Sequence, residues 1–149
     1  MLKMFKTLSL PEYEDLMKER YEFANMISQK WQKSGIQALV TPTFPHCAFK
    51  DAHADEMGLM LQYNFIWNIL HYPAGIVPIT RVQKDEETFT DHHNDHWTHL
   101  LNETAKDSAG MPICVQVIAH SYEDEKALGV MEAISKVVKF KCNVPEIMI

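Results

Sequence analysis

Apolar positions along the chain recur at two spacings, and the switches between them divide it into elements. From residue 9 to residue 35 they return every three or four positions (Tyr13, Leu16, Met17, Ala24, Ile27, Trp31), which is the spacing of one helix face. Ser9 and Glu12 stand at capping-box distance, Pro11 is tolerated in a first turn, and Gly35 is placed to end the helix. Glu14, Asp15, Lys18, Glu22 and Lys30 make the opposite, solvated face. The run IQALVTP (36–42) then reads as a short strand stopped by Pro42. After a loop punctuated by Pro45 and the acidic stretch 51–55, the pattern predicts a helix over 56–70. That helix is apolar nearly all round, including Met57, Leu61, Phe65, Trp67 and Leu70, so it is expected to be deeply buried or to cover an apolar cavity.

GIVPITRV (75–82) reads as the second strand, although Pro78 interrupts it and a central strand rarely tolerates proline. A polar loop (83–93), a helix near 94–106, a third strand (110–119) and an amphipathic helix (122–140, opened by Ser121 and Asp124) complete the chain. Three strands alternating with helices give an α/β class. Helical crossovers predict parallel strands with right-handed connections. Three strands make a narrow sheet whose edges and faces need cover. The 149 residues are therefore expected to be a single partial domain, one end of a larger sheet or a half that pairs with another chain.

Composition changes this picture little. At 46% apolar and 23% charged residues the chain is ordinary globular material, and its net charge of −6 with no basic stripe excludes a nucleic-acid footprint. Cys47, Cys114 and Cys142 are odd in number and widely spaced, as expected for reduced thiols in a cytoplasmic protein. The N-terminus has no apolar stretch of signal-peptide length, and no run approaches the roughly 18–20 apolar residues that span a bilayer. The sequon at Asn102 is read as chance.

Candidate chemistry is thin. In DHHNDHWTH (91–99), His92 and His96 share a helix face, as do Asp95 and His99, but this is not a metalloprotease pattern and no strong third ligand follows. Cys114 fits a small buried hydrophobe. Cys47 neighbours His46, but adjacent residues of an extended segment point apart, so it reads as structural filler. The five glycines stand singly, which leaves no phosphate loop, dinucleotide fingerprint or nucleophile elbow. Glu123, Asp124 and Glu125 suit the first turn of a helix without any catalytic role.

Three segments read together carry a resemblance. ALVTPTFPHCAF (38–49), YNFIWNILHYPAGIVPITRV (63–82) and AGMPICVQVIAHSYEDEKALGVMEAI (109–134) resemble the C-terminal part of amidase signature enzymes, nearest the fatty-acid amide hydrolase branch. The elements that match are Thr41-Pro42, Asn68, Pro73-Ala74-Gly75, Val77-Pro78, Gly110-Met111-Pro112 and Gln116, with Trp31 and Trp97 where that branch has tryptophans. In that setting Pro78 marks an edge or bulge in the family's mixed sheet.

The resemblance implies serine hydrolysis of amides through a Ser–cis-Ser–Lys triad, with no metal or organic cofactor. This chain departs from that pattern: it has no Ser-Ser or Gly-Gly pair, and Ser9, Ser28, Ser34, Ser108, Ser121 and Ser135 are scattered. No catalytic residue is carried over. Leu61, Phe65 and Trp97 carry over as the lining of an acyl channel, with plain core as the alternative. The implied partners are a small-molecule acyl amide bound with the missing N-terminal half, a peripheral membrane surface for the full enzyme, and a homodimer. Two other readings differ in class: a non-catalytic remnant that binds an apolar ligand or partner chain through its sheet edge, and a metal module on the 91–99 histidines. Alone, the chain is expected to be marginally stable or to aggregate.

Overall fold

The computed structural model describes residues 7–88 and 91–141, apart from the side chain of Leu59. Cys142 lies outside the described residues. The elements run α1 (Leu10–Ser34), β1 (Leu39–Pro42), α2 (Ala54–Met57), α3 (Gln62–Leu70), β2 (Ala74–Arg81), α4 (His96–Ala105), β3 (Pro112–Ile118) and α5 (Asp124–Val138).

The strands form one sheet in the order β1–β3–β2, and both pairings are antiparallel. The expectation of parallel neighbours is corrected. β1 and β2 do run the same way, but β3 enters between them in the opposite direction. The reason lies in the segment between β2 and β3, which carries α4 yet returns to the end of the sheet it left. Val82 and Gly110–Met111 extend the ladder past Arg81 (Val82 N–H to Met111 O 3.0 Å, Gly110 N–H to Val82 O 2.9 Å), so this is a long-looped hairpin and no crossover. A helix between two strands does not oblige the chain to cross the sheet.

Pro78 lies on an edge strand, and the pairing slips between Pro78 and Thr80, a bulge. Its missing N–H therefore faces away from the sheet or falls in the irregularity, the two places where proline is tolerated.

The predicted single helix over 56–70 is broken. A 3₁₀ turn at Asp51–His53 leads into α2, a second 3₁₀ turn occupies Gly58–Leu61, and only then does α3 begin. It is not buried all round either. Met57 and Leu70 are inside, whereas Leu61, Tyr63, Phe65 and Ile69 face solvent. α3 ends at His71, in the left-handed region at φ 56°, and its last carbonyls are met from outside: Arg20 Nη1 donates to Ile69 O (3.1 Å) and Ser121 Oγ to His71 O (3.1 Å). Those two bonds tie α1 and the end of β3 to the same turn.

The core gathers there. Leu70, Tyr72 and Ile118 are its buried centre, with Phe23, Ile27 and Trp31 of α1 and Ile66 and Trp67 of α3 packed on it. Val117, Ile118 and Ala119 are fully enclosed, because β3 has a strand on both sides. Only the second half of α1 reaches this core. Its first half, capped by the Glu12 carboxylate accepting from Ser9 N–H at 2.8 Å, carries Leu10, Tyr13 and Leu16 into solvent.

Candidate functional site

An open groove of about 480 Å³ lies at the opposite end of the sheet from that core, between the 43–49 loop, Leu61 and the strand residues Ile76, Ile113 and Cys114. Gln116 builds it. This side chain is buried in β3 between two valines, and its Nε2 donates to Pro42 O (3.0 Å) and to Tyr63 O (2.9 Å). One amide thus fixes the start of the loop and the start of α3 on the sheet. A buried amide without partners would cost about 1–3 kcal/mol, so the two carbonyls define where it sits.

Phe44 and Phe49 face each other across the loop (ring centroids 5.6 Å apart, 35° between planes). Together with Leu61, Ile76 and Ile113 they make the lining predominantly apolar. The Oγ1 of Thr43, also on the lining, is buried without a hydrogen-bond partner. Cys47 and Cys114 both border the groove; burial pushes the Cys114 thiol above its ordinary value. Contrary to the sequence expectation, Cys47 and His46 do meet. The turn after Pro45 brings Cys47 Sγ to 3.3 Å from His46 Nδ1, which is also 3.2 Å from the Cys47 carbonyl.

The three residues carried over as channel lining do not converge. Leu61, 40% exposed, lines the groove. Phe65, 51% exposed, lies on α3 and does not border it. Trp97, 37% exposed, lies on α4 edge-on to His96 (5.8 Å, 66°), also away from the groove. The signal that sequence reading underused was Gln116, a polar residue between valines in the middle of a strand.

Among the described residues no three of His, Cys, Asp or Glu come together as metal ligands. Within 91–99, Asp95 caps α4 by accepting from Thr98 N–H (2.9 Å), and His96 Nε2 pairs with Glu56 across to α2 (2.6 Å).

A family model described as Amidase matches residues 2–128. The chain belongs to the amidase family. Fatty-acid amide hydrolase 1 of Sus scrofa is 24% identical over 128 residues, 83% of this chain. Fatty acid amide hydrolase 1 of Caenorhabditis elegans is 29% identical over 132 residues, 87% of this chain. In both cases the match spans only 22% of the relative's length. A solved fatty acid amide hydrolase superposes with a TM-score of 0.74 at 19% identity, covering 91% of this chain and 24% of that one. The last comparison shows the fold: a mixed α/β arrangement with its three-stranded antiparallel sheet. No helix among the described residues is long and apolar enough to cross a membrane.

Proposed function

We propose that this chain is one partial domain, the C-terminal segment of an amidase that hydrolyses amides of fatty acids or similar apolar acyl groups. The observation that carries the reading is the apolar groove hung on Gln116, in a chain whose relatives are fatty-acid amide hydrolases and exceed it several-fold in length. In this reading the segment supplies one wall of the acyl site and the rest of the domain supplies the serine–lysine chemistry. Leu61 lines the groove, while Phe65 and Trp97 complete the channel only against the remainder of the domain. The exposed apolar faces of α1 and α3 are surfaces that the same remainder covers. Peripheral membrane attachment and homodimer formation belong to the full enzyme.

The test is reconstitution. Alone, the chain leaves a long-chain primary fatty amide intact; extended or co-expressed with an upstream amidase segment, it supports turnover, and Leu61→Arg raises KM for the long acyl chain more than for a short one. Fatty-amide turnover by the isolated chain, or reconstituted enzyme indifferent to acyl length, would overturn the reading.

A second reading is favoured by one observation: both outer strands are edges, with Val40 and Ile76 exposed on them. A remnant that binds an apolar ligand or partner chain through such an edge needs no triad. It predicts edge-dependent binding with no gain of activity on reconstitution.

A further inference from the structure

We propose that Ser28 is an acyl-accepting hydroxyl served by His120, a serine–imidazole pair separate from the amide chemistry of the complete domain. Its substrate class is small activated carboxylic esters.

The starting point is an unusual partner. Among the described hydrogen bonds, Ser9, Ser34, Ser108 and Ser121 all give their hydroxyls to oxygen acceptors. A hydroxyl inside a helix ordinarily returns to the carbonyl one turn back, as Thr104 does to Leu100 O at 2.8 Å. Ser28, inside α1, instead meets His120 Nε2 at 2.8 Å, across 92 positions of sequence. That is nucleophile-to-base distance.

The imidazole is held in place. His120 follows the fully buried Ala119 at the end of β3, and its ring packs on Tyr72 (5.1 Å, 51°) and Trp31 (6.4 Å, 54°). Tyr72 adds a second feature. It is 7% exposed, and its buried hydroxyl has the Ser28 hydroxyl as a neighbour without forming a well-aligned hydrogen bond. Burial pushes the phenol above its ordinary value, and the nearby Ser28 hydroxyl offsets part of the rise, so at neutral pH it remains an O–H donor beside the nucleophile. A preorganised donor beside the nucleophile is what a developing oxyanion requires. Just ahead of α5, Glu123 brings negative charge towards the imidazole: its carboxyl is held low by Lys126 first and, less, by His120. Lys126, 2.7 Å from Glu123, tempers that charge.

In the step that follows, Ser28 Oγ bonds to the acyl carbon as its proton passes to His120 Nε2. The bond from the acyl carbon to the leaving oxygen breaks, and that oxygen takes the proton from the imidazolium. Water, deprotonated by the same nitrogen, then releases the carboxylic acid and restores the serine. The half-buried setting limits the acyl group to a small one.

The whole 149-residue chain is treated with p-nitrophenyl acetate and, separately, with a fluorophosphonate, and adducts are mapped by peptide mass spectrometry. The expected result is one dominant adduct on Ser28. Ser28→Ala loses it. His120→Gln slows it by about 100-fold or more, the scale of a lost general base. Tyr72→Phe slows it several-fold while the fold is kept. Should the variants fail to fold, the wild-type map decides alone: folded protein with no adduct at Ser28 overturns the proposal. So does acylation that persists unchanged in Ser28→Ala, or a rate that His120→Gln leaves unchanged. No amide substrate or upstream segment is involved, so reconstitution can fail without touching this result.

Discussion

The two halves of α1 obey the same apolar spacing and meet opposite fates. Phe23, Ile27 and Trp31 pack on Tyr72 and Ile118, while Leu10, Tyr13 and Leu16, on the same periodic pattern, stand in water. Periodicity thus reports that a face wants cover, not whether this chain provides it. The cover at the C-terminal half is β3, enclosed because it has neighbours on both sides. At the N-terminal half there is no sheet to lie on among the described residues. α3 repeats the lesson in one element, with Leu70 buried and Phe65 exposed.

The largest test of this contrast compares Ile118→Ala with Leu16→Ala. Ile118 is 0% exposed, so truncating it leaves a cavity and should cost about 2–5 kcal/mol in a urea melt. Leu16 is 49% exposed, and its truncation should stay within about 0.5 kcal/mol. Equal losses would mean that the first half of α1 is covered in solution. In protein extended by the upstream segment, the cost at Leu16 should rise, since burying a leucine is worth about 1.5–3 kcal/mol.

Next in size is Gln116→Leu. It leaves Pro42 O and Tyr63 O without their donor, at a cost of about 1–3 kcal/mol, and frees the 43–49 loop from the sheet. Labelling of Cys47 by an apolar maleimide should quicken, while a loss of stability with Cys47 labelling unchanged would show that the loop is held by something else.

Much of this architecture was legible and some could not have been. Capping residues, Gly35 and the alternation of periods placed six of the eight elements and merged α2 with α3, and Pro78, set beside the family pattern, pointed to an edge or a bulge. The direction of β3 was hidden, because it depends on where the 83–111 excursion closes, through bonds such as Glu87 Oε1 accepting from Ala109 N–H at 2.9 Å, which no spacing encodes. The groove was half legible. Leu61 and the strands could be read as apolar surface, but the His46–Cys47 contact needs the turn geometry after Pro45. Ser28 meeting His120 is a tertiary event between two residues with no local pattern linking them.

Tyr72→Phe inverts the usual direction. Removing a buried hydroxyl that forms no well-aligned hydrogen bond should stabilise the chain, by about 1 kcal/mol. It sharpens the contrast within the core itself, because the same change is expected to slow acylation of Ser28. A variant that is destabilised would show that the phenol hydroxyl is held by the Ser28 hydroxyl or by water.

The smallest effect lies on the exposed side, at the cap of α4. Asp95 accepts from Thr98 N–H, and this bond, ahead of the Thr98 hydroxyl, Trp97 N–H and the His93 charge, holds its carboxyl below the ordinary value. A carboxyl lowered by folding contributes stability that is whole above the unfolded value, near 4, and that fades as pH falls through the lower folded value. Asparagine can also cap a helix, so Asp95→Asn removes the charge and keeps the acceptor. The urea midpoint of the wild type should therefore exceed that of Asp95→Asn by a constant margin from about pH 8 to pH 5, and the two should converge on further acidification. A margin that widens in acid would mean the carboxylate is repelled where it stands, and that even on this exposed face the helix is held by something other than its cap.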